Sequence, residues 1–133
     1  GRVLLAGHVK DPGARVDAVT LAWRADGVRE VINEIRVADS RGITGYTRDA
    51  WITAKLRSRI LLDSEIASVN YSIDTVGKIV YLMGIAQNAA ELNRVKAHAR
   101  DMSYVRRVVS YVVLKSDPKR QTVWHRRGRR RSS

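Results

Sequence analysis

The side chains best suited to chemistry in this chain are surface groups, not catalytic ones. His8, His98 and His125 fall in a strand, a helix and the C-terminal tail with no ligand spacing among them, and there is no cysteine. No Gly-rich phosphate loop, nucleophile elbow or His-Glu metal motif occurs. The sequence therefore assigns no catalytic residue, no metal ligand, no cofactor and no small-molecule substrate. Trp51 is the sharpest candidate for surface chemistry. If Ile52, Leu56 and Ile60 form the inward stripe of a helix, Trp51 points about 100° away from Ile52. Arg48 precedes it by three residues and Lys55 follows it by four, so both share its face, with Ser58 above and Arg59 nearby. An aromatic ring between cations suits a phospholipid headgroup layer, where Trp rests at the apolar boundary and Lys or Arg meets phosphate. Packing of Trp51 against Leu62 or another module satisfies the same spacing, and spacing alone leaves both readings open.

Charge points the same way without choosing a partner. Lys and Arg outnumber Asp and Glu by 25 to 13, a net +12. Lys119, Arg120, Arg126, Arg127, Arg129, Arg130 and Arg131 stand against Asp117 alone in residues 117–133, so half of the excess lies in the tail and half in the folded part. Such an excess favours a membrane surface, nucleic acid or an acidic polymer. The tail reads as a disordered, solvated extension. Its interleaved Trp124, His125 and arginines could also grip anionic lipid or nucleic acid. No apolar run approaches the roughly 20 residues that span a bilayer.

The elements that carry these residues emerge from an internal repeat. Residues 1–37 lie over 78–114 without a gap: Val3, Leu5 and Gly7 fall on Val80, Leu82 and Gly84, and Val28, Arg29 and Val31 fall on Val105, Arg106 and Val108. Each copy reads as strand, helix, strand, with a right-handed parallel crossover. Asp11 and Asn88 are N-cap residues, and Pro12 sits in a first turn where proline is harmless. Ala18, Ala22 and Ala25 form the expected inward stripe of the first helix; Leu92, Val95, Ala99 and Met102 form that of the second.

The second copy has more in front of it. A linker at 39–47 leads to an amphipathic helix over 49–62 with Thr47 or Asp49 as cap. Val69, Tyr71 and Ile73 then alternate with Asn70, Ser72 and Asp74 as a half-buried strand. The fold class is α+β: an α-β-β-α-β module over 48–116, a three-stranded mixed sheet with two helices on one face, preceded by a partial β-α-β copy over 1–38. By the repeat offset, the helix missing from the first copy would begin about 30 residues before Gly1, so the chain reads as a fragment. If Val80, Leu82, Val108, Val112 and Leu114 face the helices, then Tyr81, Met83, Val109, Tyr111 and Val113 form an apolar outer face with Ile79. Such a patch marks an interface. Module-on-module packing is the first reading and self-association the second.

These residues resemble the BON domain of bacterial envelope proteins. The matching stretches are Gly77-Lys78-Ile79-Val80-Tyr81-Leu82-Met83-Gly84, Ala99, and Val105-Arg106-Arg107-Val108. Asp49-Ala50-Trp51-Ile52-Thr53-Ala54-Lys55-Leu56-Arg57-Ser58 is the most specific stretch and opens the second copy. The arrangement is similar to dual-BON outer-membrane lipoproteins that bind anionic phospholipid. The resemblance implies a periplasmic, outer-membrane-associated, non-enzymatic protein, with export and lipidation signals upstream. It also implies lipid contact by Arg48, Trp51, Lys55, Ser58 and Arg59. The Arg-rich tail is not part of the family pattern. The rival readings are a nucleic-acid binder that uses this tail, and a structural adaptor for an envelope protein.

Overall fold

A computed structural model of the chain describes residues 1–37 and 43–115, with backbone alone for 43–46. Its elements are β1 (Arg2–Val9), α1 (Pro12–Arg24), β2 (Glu30–Val37), α2 (Ile43–Leu62), a 3₁₀ turn (Ser68–Asn70), β3 (Tyr71–Val76), β4 (Ile79–Ala86), α3 (Ala89–Arg100), β5 (Arg107–Ser110) and β6 (Val113–Leu114). The class is α+β, as expected. The start of the expected linker and the 117–133 tail lie outside the described residues.

Local chemistry fixes the ends of these elements. The Asp11 carboxylate accepts from Gly13 N at 2.9 Å, and Pro12 opens α1. Asn88 Oδ1 accepts from Glu91 N at 2.8 Å, while the Glu91 carboxylate reaches back to Gln87 N at 3.2 Å, much as in a capping box. Glu91 is buried and also accepts from Ala67 N and from the Tyr71 hydroxyl, so its charge is surrounded by donors. Between β3 and β4, Gly77 and Lys78 have φ of 57° and 66°. Positive φ at both central residues is the signature of a two-residue type I′ turn.

Two parallel crossovers share one layout. β1 pairs with β2 and β4 with β5, and in both the paired residues lie 28 apart: Arg2 with Glu30, Ile79 with Arg107. β3 adds antiparallel to β4, with Tyr71 opposite Gly84. The last strand breaks at Tyr111–Val112 and resumes as β6 in unchanged register, Val113 opposite Ile85. One face of the β3-β4-β5 sheet is covered by α2 and α3, whose Ile52, Leu56, Ile60, Val95 and Ala99 pack on Val80, Leu82 and Ile73. Each of the larger aliphatic side chains among these stabilises by roughly 1.5–3 kcal/mol when fully buried. The opposite face is covered by α1, so α1 lies between the two sheets and joins an N-terminal unit (β1-α1-β2) to a C-terminal unit (α2 to β6).

That sandwiched helix corrects several expectations. Ala18 and Ala22 are only half-buried and Ala25 is exposed; the fully covered stripe is Val16, Val19 and Trp23, which packs on Met83 of β4. Ser72 and Asp74 do not face solvent. They lie buried under α1, where Ser72 Oγ accepts from Trp23 Nε1 at 2.8 Å. Arg15 holds both Asp74 oxygens, at 2.7 and 2.8 Å. A polar strand face is thus desolvated with every group partnered, which local alternation cannot reveal. Helix α2 also begins at Ile43, six residues before Asp49, so residues 43–47 are helical. Gly and β-branched residues disfavour helix only weakly, and extending an existing helix costs less than nucleating one. Asp49 therefore caps nothing. Its carboxylate accepts from Gly77 N and Lys78 N, each at 2.9 Å, and clamps the β3–β4 turn.

Candidate functional site

Burial of Ile52, Leu56 and Ile60 rotates Trp51 out of the core, and the residue is 43% exposed. The ring meets Tyr104 edge to face, centroids 5.9 Å apart and planes at 77°. Tyr104 belongs to the loop after α3 and is 54% exposed. The Arg48 guanidinium carbon stands 3.6 Å from the Tyr104 ring centre, and Lys55 Nζ stands 5.7 Å from that of Trp51. Both lie within the range of a cation–π contact. The result is an aromatic pair exposed to water and bracketed by two cations. Ser58 is exposed one turn beyond Lys55. Leu62, 84% exposed, lies three turns along the stripe from Trp51.

Of the five residues expected here, Lys55 meets the Trp51 ring directly and Arg48 joins it through Tyr104. Arg59 turns towards α3 instead, pairing with Asp101 at 3.3 Å, which neutralises part of its charge. Tyr104 was not among the expected residues. It lies far from Trp51 in sequence, and only the return of the chain after α3 brings the two rings together; its one sequence signal is an aromatic residue in a polar loop.

The expected outer-face residues divide. Met83 is 1% exposed and, with Tyr81 and Ile85, packs against α1. Tyr111 stacks on Tyr81 at 6.3 Å with planes 11° apart and remains largely exposed, while Val109 and Val113 are half-buried. A self-association surface over Tyr81 and Met83 is thus occupied by the chain's own helix.

Other polar groups of the described residues are engaged structurally. His98 Nε2 lies 2.8 Å from Asp63 Oδ2, and Arg94 Nε 2.6 Å from the same oxygen. These bonds, His98 first and Arg94 second, hold the Asp63 carboxyl down at about 2 against an ordinary 3.8. Burial first, then the bond to Glu91, pushes the Tyr71 hydroxyl well above its ordinary range. A cleft of about 210 Å³ opens between the units, lined by Arg15, Asn33, Thr53, Arg57 and Asp74 among others. Its polar groups satisfy one another: Arg15 with Asp74, Thr53 with Thr75, and Arg57 with the Ile73 carbonyl. No cluster of metal-ligating side chains occurs among the described residues, and no described helix is long and apolar enough to cross a membrane.

Comparison with known proteins gives these features a family. The chain is 46% identical over 116 residues to an uncharacterised protein of Anaplasma centrale, covering 86% of this chain and 77% of that one. It is 34% identical to a 21 kDa hemolysin of Actinobacillus pleuropneumoniae, over 84% of this chain and 59% of the relative. It is 29% identical to the outer membrane lipoprotein DolP of Haemophilus influenzae, over 82% and 56%. The chain thus spans little more than half the length of the latter two. The family model of the BON domain matches residues 1–39 and 48–116, which is most of the chain. The chain belongs to the BON domain family.

Proposed function

We propose that this chain is a non-enzymatic envelope protein that adsorbs to anionic phospholipid through the Trp51 face of α2, in support of outer-membrane integrity. In this reading residues 1–38 are a partial BON unit, 48–116 belong to a complete unit whose first helix already starts at Ile43, and 117–133 are a basic tail. The observation that carries the reading is the exposed Trp51–Tyr104 pair set between Arg48 and Lys55. Neither cation has a carboxylate partner among the described residues. The name of the Haemophilus relative places that protein at the outer membrane, which supports an envelope setting here.

The mechanism is adsorption in two stages. The basic surface attracts an anionic leaflet over a Debye length of about 8 Å at physiological ionic strength. Trp51 then settles at the headgroup boundary while Arg48 and Lys55 meet phosphates, each contributing on the order of 1 kcal/mol. Docking of this strength is weak and reversible, and stable residence needs a second anchor.

Co-sedimentation of the full chain with phosphatidylglycerol-containing vesicles tests it. Trp51→Ala should fold normally, with a stability change under about 1 kcal/mol, because the ring is half in water and outside the core. Its vesicle affinity should fall severalfold. Lys55→Glu should weaken binding about tenfold or more at low salt, a loss that shrinks as salt rises. Pure phosphatidylcholine vesicles should bind little of any variant. A folded Trp51→Ala protein that binds like the parent would sink the proposal.

A further inference from the structure

Among the described residues, the non-glycine positions with positive φ are Lys78, at 66°, and Tyr104, at 72°. Left-handed backbone is costly for a residue with a Cβ, and it persists where the surroundings over-determine it. Glycine or asparagine fills such positions more easily. Here the two positions carry an ammonium and an aromatic ring, and both residues are exposed.

They also lie on one edge of the C-terminal unit. Asp49, next to Arg48 on α2, accepts from Lys78 N at 2.9 Å. Arg106 N donates to the Lys78 carbonyl at 2.9 Å. Arg48 in turn sits on the Tyr104 ring. The start of α2, the β3–β4 turn and the loop into β5 are thus bound into one rim. Arg48, Lys78 and Arg106 have no carboxylate partner among the described residues. Three unneutralised cations and an aromatic pair complement an anionic headgroup layer. The same α2 face continues to the exposed Leu62, which suits the acyl boundary of a bilayer and not a hydrated polyanion.

We propose that Lys78, Tyr104 and Arg106 form a second contact for anionic phospholipid headgroups, contiguous with the α2 face, so that the unit docks by its β3–β4 end as well as by the helix flank. The inference rests on the reading of α2 as a lipid-docking face. It assigns the strained backbone a purpose: the turn and loop hold a lysine and a tyrosine at the bilayer where an asparagine would fit the backbone better.

That trade gives the test. Lys78→Asn places in left-handed backbone the non-glycine residue that tolerates it best, so its melting temperature should match or exceed the parent's. Tyr104→Asn gains the same backbone relief but gives up the ring contacts with Trp51 and Arg48, and should melt no higher than the parent. Affinity for phosphatidylglycerol-containing vesicles should nevertheless fall, by about fivefold for Lys78→Asn, the factor one basic residue near an anionic leaflet supplies. Adding Arg106→Gln should deepen that loss to about twenty-fivefold. Arg24→Gln, which removes one exposed charge from the last turn of α1, should bind like the parent. Parental affinity in Lys78→Asn and in the double variant with Arg106→Gln, with Trp51→Ala still impaired, overturns the second contact and leaves the α2 face standing. A loss in Arg24→Gln equal to that in Lys78→Asn would show an effect of overall charge and overturns it too. If Trp51→Ala binds like the parent, the α2 reading falls and this inference with it.

Discussion

Gly7 and Gly84 occupy corresponding places in β1 and β4, and both have φ of 127°, yet their surroundings differ. A Cβ on Gly84 would lie 2.1 Å from the Asn70 carbonyl oxygen and 2.9 Å from Tyr71 Cα, because β3 runs against β4 there. A Cβ on Gly7 would meet nothing within 4 Å. The glycine of the C-terminal unit is required twice, by its backbone angle and by a neighbouring strand. That of the N-terminal unit is required once. Gly84→Ala should therefore destabilise by roughly 2–6 kcal/mol, overpacking of roughly 1–3 kcal/mol adding to backbone strain of similar size. Gly7→Ala should cost only the strain, about 1–3 kcal/mol. Urea unfolding of both variants measures the difference. Equal losses would show that the backbone angle alone decides and that the approach of Asn70 is irrelevant.

Two of the three tryptophans, Trp23 and Trp51, sharpen the same contrast. Trp51 stands half in water on the C-terminal unit, whereas Trp23 of the N-terminal unit is buried against Met83 and donates to Ser72. Trp23→Ala should cost roughly 3–5 kcal/mol, the range for truncating a buried aromatic, and should leave Ser72 short of a partner. The expected loss exceeds that for Trp51→Ala several times over. If thermal or urea unfolding of Trp23→Ala showed a loss below about 1 kcal/mol, α1 would not couple the units through this ring.

The same contrast shows how far the sequence can be read. The stripe of Val80, Leu82, Val108, Val112 and Leu114 is legible because alternation along a strand maps directly onto one face, and these residues do pack on the α2–α3 core. The start of α1 is legible because a cap is local chemistry. The coverage of α1 is not. A helix between two sheets buries two stripes, and the alanine stripe masks the Val16, Val19 and Trp23 stripe that does the greater packing. Ser72 and Asp74 mislead for a related reason: polarity signals water only when no partner arrives from elsewhere in the chain. At the site, Arg48, Trp51 and Lys55 follow from helical spacing. Tyr104 and Lys78 depend on a loop and a turn returning to that helix, which no local period encodes.

Ion pairing gives the smallest expected difference between the units. Arg2 and Glu30 pair at 2.6 Å on the surface of the N-terminal unit, where such contacts contribute about 0–1 kcal/mol. In the C-terminal unit, the Asp63 carboxylate at the end of α2 is nearly covered and accepts from Arg94, the Glu65 amide and His98 of α3. The bond to His98 and then that to Arg94 depress its folded value to about 2 from 3.8. A depressed carboxylate value means that its contribution to stability is present above about pH 4 and disappears as pH falls towards 2. Asp63→Asn lacks that contribution throughout. The variant should melt below the parent at pH 7, and the gap should close between pH 4 and pH 2 as the parent's carboxylate takes up its proton. Since Arg94 is half-exposed, raising the salt should narrow the gap at pH 7. Melting curves at pH 7, 5, 4, 3 and 2 make the measurement. A gap that stayed constant down to pH 2 would show that the Asp63 bonds do not set the acid sensitivity of the fold, and that the tie between α2 and α3 rests on the apolar contacts of Ile60, Val95 and Ala99.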